Sequence, residues 1–230
     1  MYVKDHMTKD PVTITSDVSI SKAVDMMARG GFHRLPVVDA EGKLIGLVTG
    51  GLVEEKSGSK ATSLSIYELN YLLRKTKVAD IMIRDTQTIT QDVFVEEAAQ
   101  KMLDNSISVL PVVDDDRHVV GIITEKDIFQ AFTELLGYKH QGTRFVFNCD
   151  DRPGYFVGII KALADQNANV ESLAIYRTKE RGTEAVVKAT GEIPVEKMTK
   201  IFIDAGYRLT DIAQTTKFGT VKKYSVSDGE

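Results

Sequence analysis

The sequence predicts a mixed α/β (α+β) chain in which two copies of one β-α-β-β-α unit precede a separate βαββαβ unit, and three observations carry that prediction. First, Val3-Lys4-Asp5-His6-Met7 returns as Val78-Ala79-Asp80-Ile81-Met82, and Leu35-Pro36-Val37-Val38-Asp39 returns as Leu110-Pro111-Val112-Val113-Asp114. The spacing is constant, since 82 − 7 and 111 − 36 both give 75, so the first part of the chain is an internal repeat. Second, each copy places apolar residues at helical spacing (Ile20, Ala23, Val24, Met27; Val95, Ala98, Ala99, Met102) ahead of two short apolar runs joined by a turn. Third, the composition shifts after Phe132, and strand and helix patterns then follow one another as βαββαβ.

In chain order, residues 1–56 form the first copy, with a strand at Thr13 to Thr15, the helix around Ala23, and a hairpin of Leu35 to Val38 with Leu44 to Val48. Residues 57–77 are a linker whose Ser65-Ile66-Tyr67-Glu68 fits a capping box and opens a helix with Ile66, Leu69, Leu72 and Leu73 on one face. That face serves core packing or a dimer contact. Residues 78–136 repeat the first copy, from Thr88 to Thr90 through the hairpin turn at Asp114-Asp115-Asp116-Arg117 to a closing helix. A unit of about 50 residues buries too little apolar surface to stand alone, so the copies should pack their sheets together. After the connector Gly137 to Gly142, residues 143–213 carry strands at Arg144 to Cys149, Val170 to Arg177, Glu184 to Thr190 and Tyr207 to Ile212, with helices at Phe156 to Asn167 and Val195 to Ala205. Residues 214–230 read as a polar, disordered tail.

Composition narrows the function. The chain has 43% hydrophobic and 27% charged residues and a net charge of −4, with no basic stripe for nucleic acid or an anionic membrane. No window approaches the ~20 apolar residues of a membrane span, and the N-terminus has no apolar signal region, so a cytoplasmic protein is expected. The single Cys149 excludes an internal disulfide and has no evident His partner. His6, His33, His118 and His140 sit in separate segments without metal-ligand spacing, and Asp114-Asp115-Asp116 reads as a turn. No catalytic residue, metal site or cofactor is therefore expected, and the chain does not read as an enzyme.

One stretch does point to a ligand. Gly121-Ile122-Ile123-Thr124-Glu125-Lys126-Asp127 ends a strand, turns at Thr124 and opens a helix near Glu125. Freed N–H groups at a helix N-terminus favour an anion, and a carboxylate one turn in can accept both hydrogen bonds of a ribose diol. The same Thr-x-x-Asp spacing is also that of a capping box that binds nothing.

These marks resemble a known family: residues 3 to 132 look like a tandem pair of cystathionine-β-synthase (CBS) domains, a Bateman module. The resemblance rests on the Leu-Pro-Val-Val-Asp strand and on Gly-hydrophobic-hydrophobic-Thr-x-x-Asp, complete at Gly121 to Asp127. It implies an adenosine-containing ligand: an adenine nucleotide (AMP or ATP) or S-adenosylmethionine, bound as a regulator. Asp127 would meet the ribose, Thr124 the ribose or phosphate, and Thr88 the phosphates, with Ser108, Val109, Leu110 and Pro111 along the base. The first copy departs from the pattern, because Leu52 stands where the Asp should be, so one site per chain is expected. Arg34 could meet a phosphate across the pseudo-twofold or lie in solvent. The βαββαβ unit has the ferredoxin-like order, and its Asp-x-Pro-Gly loop with Asn169 resembles an ACT domain. That likeness implies an amino-acid site at a dimer seam formed by Asp151, Pro153, Gly154, Tyr155 and Asn169, although Pro153 and Gly154 also make an ordinary βα turn. The layout as a whole is similar to the acetoin-utilisation AcuB family, which implies a homodimeric sensor and regulator. A scaffold dimer with empty sites and a nucleotide-hydrolysing enzyme are the alternatives.

Overall fold

The computed structural model describes residues 1–56, 66–150, 152–217 and 219–226, and the expected capping box at Ser65 lies outside them. Two compact units are present, Met1–Ala131 and Phe132–Glu230. In the first copy, α1 (Val3–His6), β1 (Thr8–Lys9) and β2 (Ile14–Thr15) lead into α2 (Ile20–Gly30), β3 (Arg34–Val38), β4 (Leu44–Thr49) and α3 (Gly50–Lys56). After α4 (Ile66–Lys75), the second copy comprises α5 (Val78–Ile81), α6 (Val95–Asn105), β5 (Val109–Val113), β6 (Val119–Thr124) and α7 (Glu125–Leu135). Ser19 caps α2 by accepting the Lys22 N–H at 3.4 Å, and Gly31 stops it in the left-handed conformation at φ 66°. The expected opening strand of the second copy shrinks to a single bridge between Ile89 and Val112.

Each copy has its own core, built on the periodic residues: Ile20, Ala23, Met27, Leu35 and Val37 in one, Ala98, Met102, Leu110, Val112 and Ile123 in the other. The copies also exchange strands. Although β1 belongs to the first copy in sequence, it pairs antiparallel with β6 of the second, Thr8 opposite Ile122 and Lys9 opposite Gly121. Ile83 returns the exchange by bonding Leu47 of β4 through two 2.9 Å backbone hydrogen bonds. Leu47, Val109 and Ile122 bury a small shared cluster between the copies.

The repeated glycines explain how close this approach is. A Cβ on Gly46 would lie 2.9 Å from the Ile83 carbonyl oxygen, whereas one on Gly121 would meet the Met7 side chain at 2.3 Å. Backbone held by two hydrogen bonds cannot yield, while a thioether can rotate away. Gly46→Ala is therefore expected to lower stability by about 1–3 kcal/mol and Gly121→Ala by less, read as urea midpoints at unchanged m-value.

In the C-terminal unit, β7 (Gly142–Asn148), α8 (Tyr155–Ala164), β8 (Asn169–Thr178), β9 (Gly182–Thr190), α9 (Val195–Asp204), β10 (Arg208–Thr215) and β11 (Val221–Tyr224) follow in order. The antiparallel sheet runs β11-β10-β7-β9-β8, the ferredoxin-like order with one strand added. Alternate residues Phe145 and Phe147 face the helices, where Phe202 meets them edge-on with centroids 5.3 and 5.0 Å away. Cys149 joins this core, and burial pushes its thiol up from the ordinary value.

The tail expectation needs correction, since residues 221–224 pair with β10 from Ile212 opposite Tyr224 to Thr215 opposite Val221. Two adjacent lysines hide the strand period in the sequence, but the Tyr224 hydroxyl bonds the Gln214 side chain at 3.0 Å and its ring packs on the core.

Candidate functional site

The helix opening at Thr124 forms as expected, and its Asp makes the capping contact. Asp127 reaches back so that its Oδ2 accepts from the Thr124 N–H at 2.8 Å and from the Thr124 hydroxyl at 2.7 Å. That is a capping arrangement, satisfying backbone at the strand-to-helix turn. It uses one carboxylate oxygen and leaves the half-buried residue with further acceptor capacity on Oδ1. The equivalent turn in the first copy caps itself differently, the Thr49 hydroxyl accepting the Leu52 N–H at 3.1 Å, because Leu52 has no carboxylate to offer.

Thr124 and Asp127 open onto a cleft of about 570 Å³, also lined by Asp10, His33, Arg34 and Lys126. A second cleft of about 220 Å³ is its pseudo-twofold mate, with Asp85, Ser108, Val109 and Thr49 at the positions equivalent to Asp10, His33, Arg34 and Thr124. Small-molecule sites usually span about 300–1,000 Å³; the first cleft falls within that range and the second below it. Strand exchange explains the composition of both clefts. Because β1 crosses to β6, the loop after it and the residues before β3 face the Thr124 turn, while the corresponding residues of the second copy face Thr49.

This corrects part of the expected site. Ser108 and Val109 pair with the Thr124 turn through backbone, Val109 opposite Thr124 and the Ser108 carbonyl accepting the Glu125 N–H at 3.2 Å, but they line the smaller cleft. Leu110 and Pro111 are buried, Leu110 in the core of the second copy, and Thr88 lies at neither cleft; its carbonyl accepts from Lys101 Nζ at 2.7 Å. The cleft draws on both copies, with Arg34 from the first as expected and Asp10 and His33 beside it. Asp10 and Lys126 were missed, although the 75-residue offset pairs Asp10 with Asp85 and so carried a signal. Arg34 does line the large cleft, and its Nη2 donates to Ser108 Oγ at 2.9 Å. It is thus held between the two clefts instead of lying in solvent.

Of the expected amino-acid site, Asp151 lies outside the described residues. Gly154 caps α8 at φ 80°, a left-handed backbone that favours glycine, and Pro153 and Asn169 are exposed. Tyr155 is a correction: it is buried in the core, its hydroxyl donates to the Asn148 carbonyl at 3.3 Å, and burial pushes its phenol up to about 12. The acidic run is a turn, with Asp114 Oδ1 accepting the Asp116 and His118 N–H groups at 3.0 and 2.8 Å. Among the described residues, no group of three His, Cys, Asp or Glu side chains could hold a metal ion. No helix among them is long and apolar enough to cross a membrane.

Comparison with known proteins identifies the domains. Family models for the CBS domain fit residues 3–50 and 78–134, and a model for the ACT domain fits residues 143–206. The L-aspartate semialdehyde sulfurtransferase of Methanocaldococcus jannaschii is 37% identical over 130 residues, 56% of this chain and 23% of that protein. The chain spans less than half the length of the first curated relatives it matches. Among solved structures, the CBS domain pair of protein MJ0100, in complex with 5′-methylthioadenosine and S-adenosyl-L-methionine, is 34% identical with a TM-score of 0.50, covering 58% of this chain and 97% of that one. The Vibrio cholerae protein assigned to acetoin utilization (AcuB) is 28% identical with a TM-score of 0.48, covering 60% of this chain and 93% of that one.

Proposed function

We propose that this chain, which belongs to the CBS-domain family and carries an ACT domain behind its CBS pair, is a cytoplasmic regulatory protein that binds one adenosine-containing nucleotide per chain in the cleft at the start of α7. One observation carries the reading: Arg34 of the first copy lines the same cleft as Thr124, Lys126 and Asp127 of the second. A ribose diol suits the carboxylate, and a phosphate suits the planar fork of Arg34. The relative complexed with two adenosyl compounds supports the adenosine half of the ligand. The cationic side chains favour a phosphate over a sulfonium on the other half. The ACT domain would add an amino-acid response at Pro153, Gly154 and Asn169, where two copies of the chain meet.

Calorimetry with AMP and 5′-methylthioadenosine tests the nucleotide reading. Arg34→Ala is expected to weaken AMP roughly tenfold to a hundredfold, as fits a charge-assisted bond of about 1.5–3 kcal/mol, and methylthioadenosine less than about threefold. Equal losses for both would make Arg34 a structural pin to Ser108. If no adenosine compound raises the melting temperature, the sites are empty and the chain is a scaffold.

A further inference from the structure

The C-terminal unit contains a cleft that shares no residue with the amino-acid seam proposed above. Its volume is about 590 Å³, with apolar walls from Ile203, Leu209 and Val226 and a rim of Asn148, Arg181 and Arg208. We infer that this cleft binds a small carboxylate with an aliphatic tail.

The rim is the informative part. Arg208 donates through Nη2 to Asp150 Oδ1 at 2.8 Å, which fixes the side chain yet uses only one of five guanidinium N–H groups. Arg181 belongs to the turn between β8 and β9, and its Nη2 lies 3.3 Å from Glu184 Oε2. The Glu184 side chain has no exposed surface, and the polar groups facing it are the Arg181 guanidinium and the Tyr176 phenol opposite it on β8. A carboxylate buried this way is costly and a poor source of stability. What it does achieve is to anchor Arg181 at the cleft. The Asn148 side-chain amide holds the same turn from β7 by donating to the Arg181 carbonyl. Two groups thus tie down a hairpin turn that would otherwise be loose, and both place a guanidinium at the mouth of an apolar recess.

The complement of that arrangement is one planar anion with hydrocarbon behind it. A carboxylate can take a bidentate bond from an Arg fork while its tail covers the three aliphatic side chains. Phosphate would leave the apolar wall unused. Because Asp150 and Glu184 already balance the two arginines, no large field draws in polyanions. An α-ammonium group, if the ligand carries one, could be drawn by Asp150, the partner of Arg208. Free acid and amino acid therefore share the chemistry and are separated by experiment.

The test is calorimetry on the full chain, without nucleotide, using 4-methylpentanoate, L-leucine and 3-methylbutylamine. At least one of the two carboxylates is expected to saturate, the amine to give no binding, and Arg208→Met to weaken the carboxylate at least tenfold. Tighter binding of leucine than of 4-methylpentanoate identifies an amino acid as the source; equal or weaker binding identifies a simple acid. Val226→Asp sets a like charge against the ligand and should abolish binding; because Val226 packs on the core, circular dichroism and melting check that the unit stays folded. Methyl resonances of Ile203, Leu209 and Val226 should shift on titration, and Asp127→Ala should leave all of this unchanged. The inference is overturned if neither carboxylate binds up to about 10 mM, if the amine binds as well as the acids, or if Arg208→Met and Val226→Asp bind like the parent protein.

Discussion

Replacing Asp127 with alanine is expected to abolish nucleotide binding, raising Kd at least a hundredfold, while the protein stays folded. The proposed ribose contact amounts to two hydrogen bonds to a charged acceptor, each worth about 1.5–3 kcal/mol. Their loss exceeds the roughly 2.8 kcal/mol that corresponds to a hundredfold change. Stability falls by much less. Asp127 Oδ2 accepts the Thr124 N–H and hydroxyl, and losing such a cap costs about 1 kcal/mol. That should appear as a melting shift of about 2–8 °C. Asp127→Asn separates the two roles, because its amide oxygen can still accept from Thr124 while the charge is gone, so it should recover stability more than affinity. Calorimetry showing Asp127→Ala binding AMP as the parent does would leave Asp127 as a helix cap and remove the site.

Much of this was legible in the residues because the signals were local. The constant 75-residue offset, the Thr-x-x-Asp turn and the alternation of Phe145 with Phe147 each depend on near neighbours, and each stands where the pattern places it. What the sequence concealed was pairing between distant segments. β1 is only two residues long, and both of them, Thr8 and Lys9, are exposed, so it has no periodicity that would announce its partner in β6. That short strand decides which residues face Asp127. Ser108 to Pro111 were expected along the base and Arg34 across the pseudo-twofold; Arg34 does line the cleft, joined by His33 and Asp10 of the same copy, while Ser108 and Val109 line its mate. Tyr155 was misassigned for a related reason: Pro153-Gly154 marks a turn but not whether the next side chain turns inward. β11 escaped notice because the polar Lys222-Lys223 pair outweighs Val221 and Tyr224 in any local count.

Replacing Leu173 and Ile175 together with lysine is expected to convert the proposed homodimer into a folded monomer. The added strand changes which edge of the sheet is open to a partner. β11 now forms one edge, a four-residue strand with two lysines that blunt pairing. The other edge is β8, ten residues long. Leu173 lies opposite Val187 and Ile175 opposite Ala185, both core residues, so these side chains share the helix-bearing face of the sheet. They are nonetheless 39% and 52% exposed, and α8 adds Val157 at 67% and Ile160 at 40%. A long free edge flanked by such a patch suits a second copy of the same chain, edge to edge, which would bring Asn169 at the start of β8 into the seam. Two lysines from each protomer would put four charges into that apolar contact and should weaken dimerisation at least a hundredfold, or about 2.8 kcal/mol. Because both side chains already meet solvent, the unit itself should remain folded, with circular dichroism unchanged. Sedimentation resolves the outcome: a parent protein that is monomeric at micromolar concentration, or a double variant that still dimerises as tightly, would remove this edge as the interface and with it the amino-acid seam at Pro153, Gly154 and Asn169.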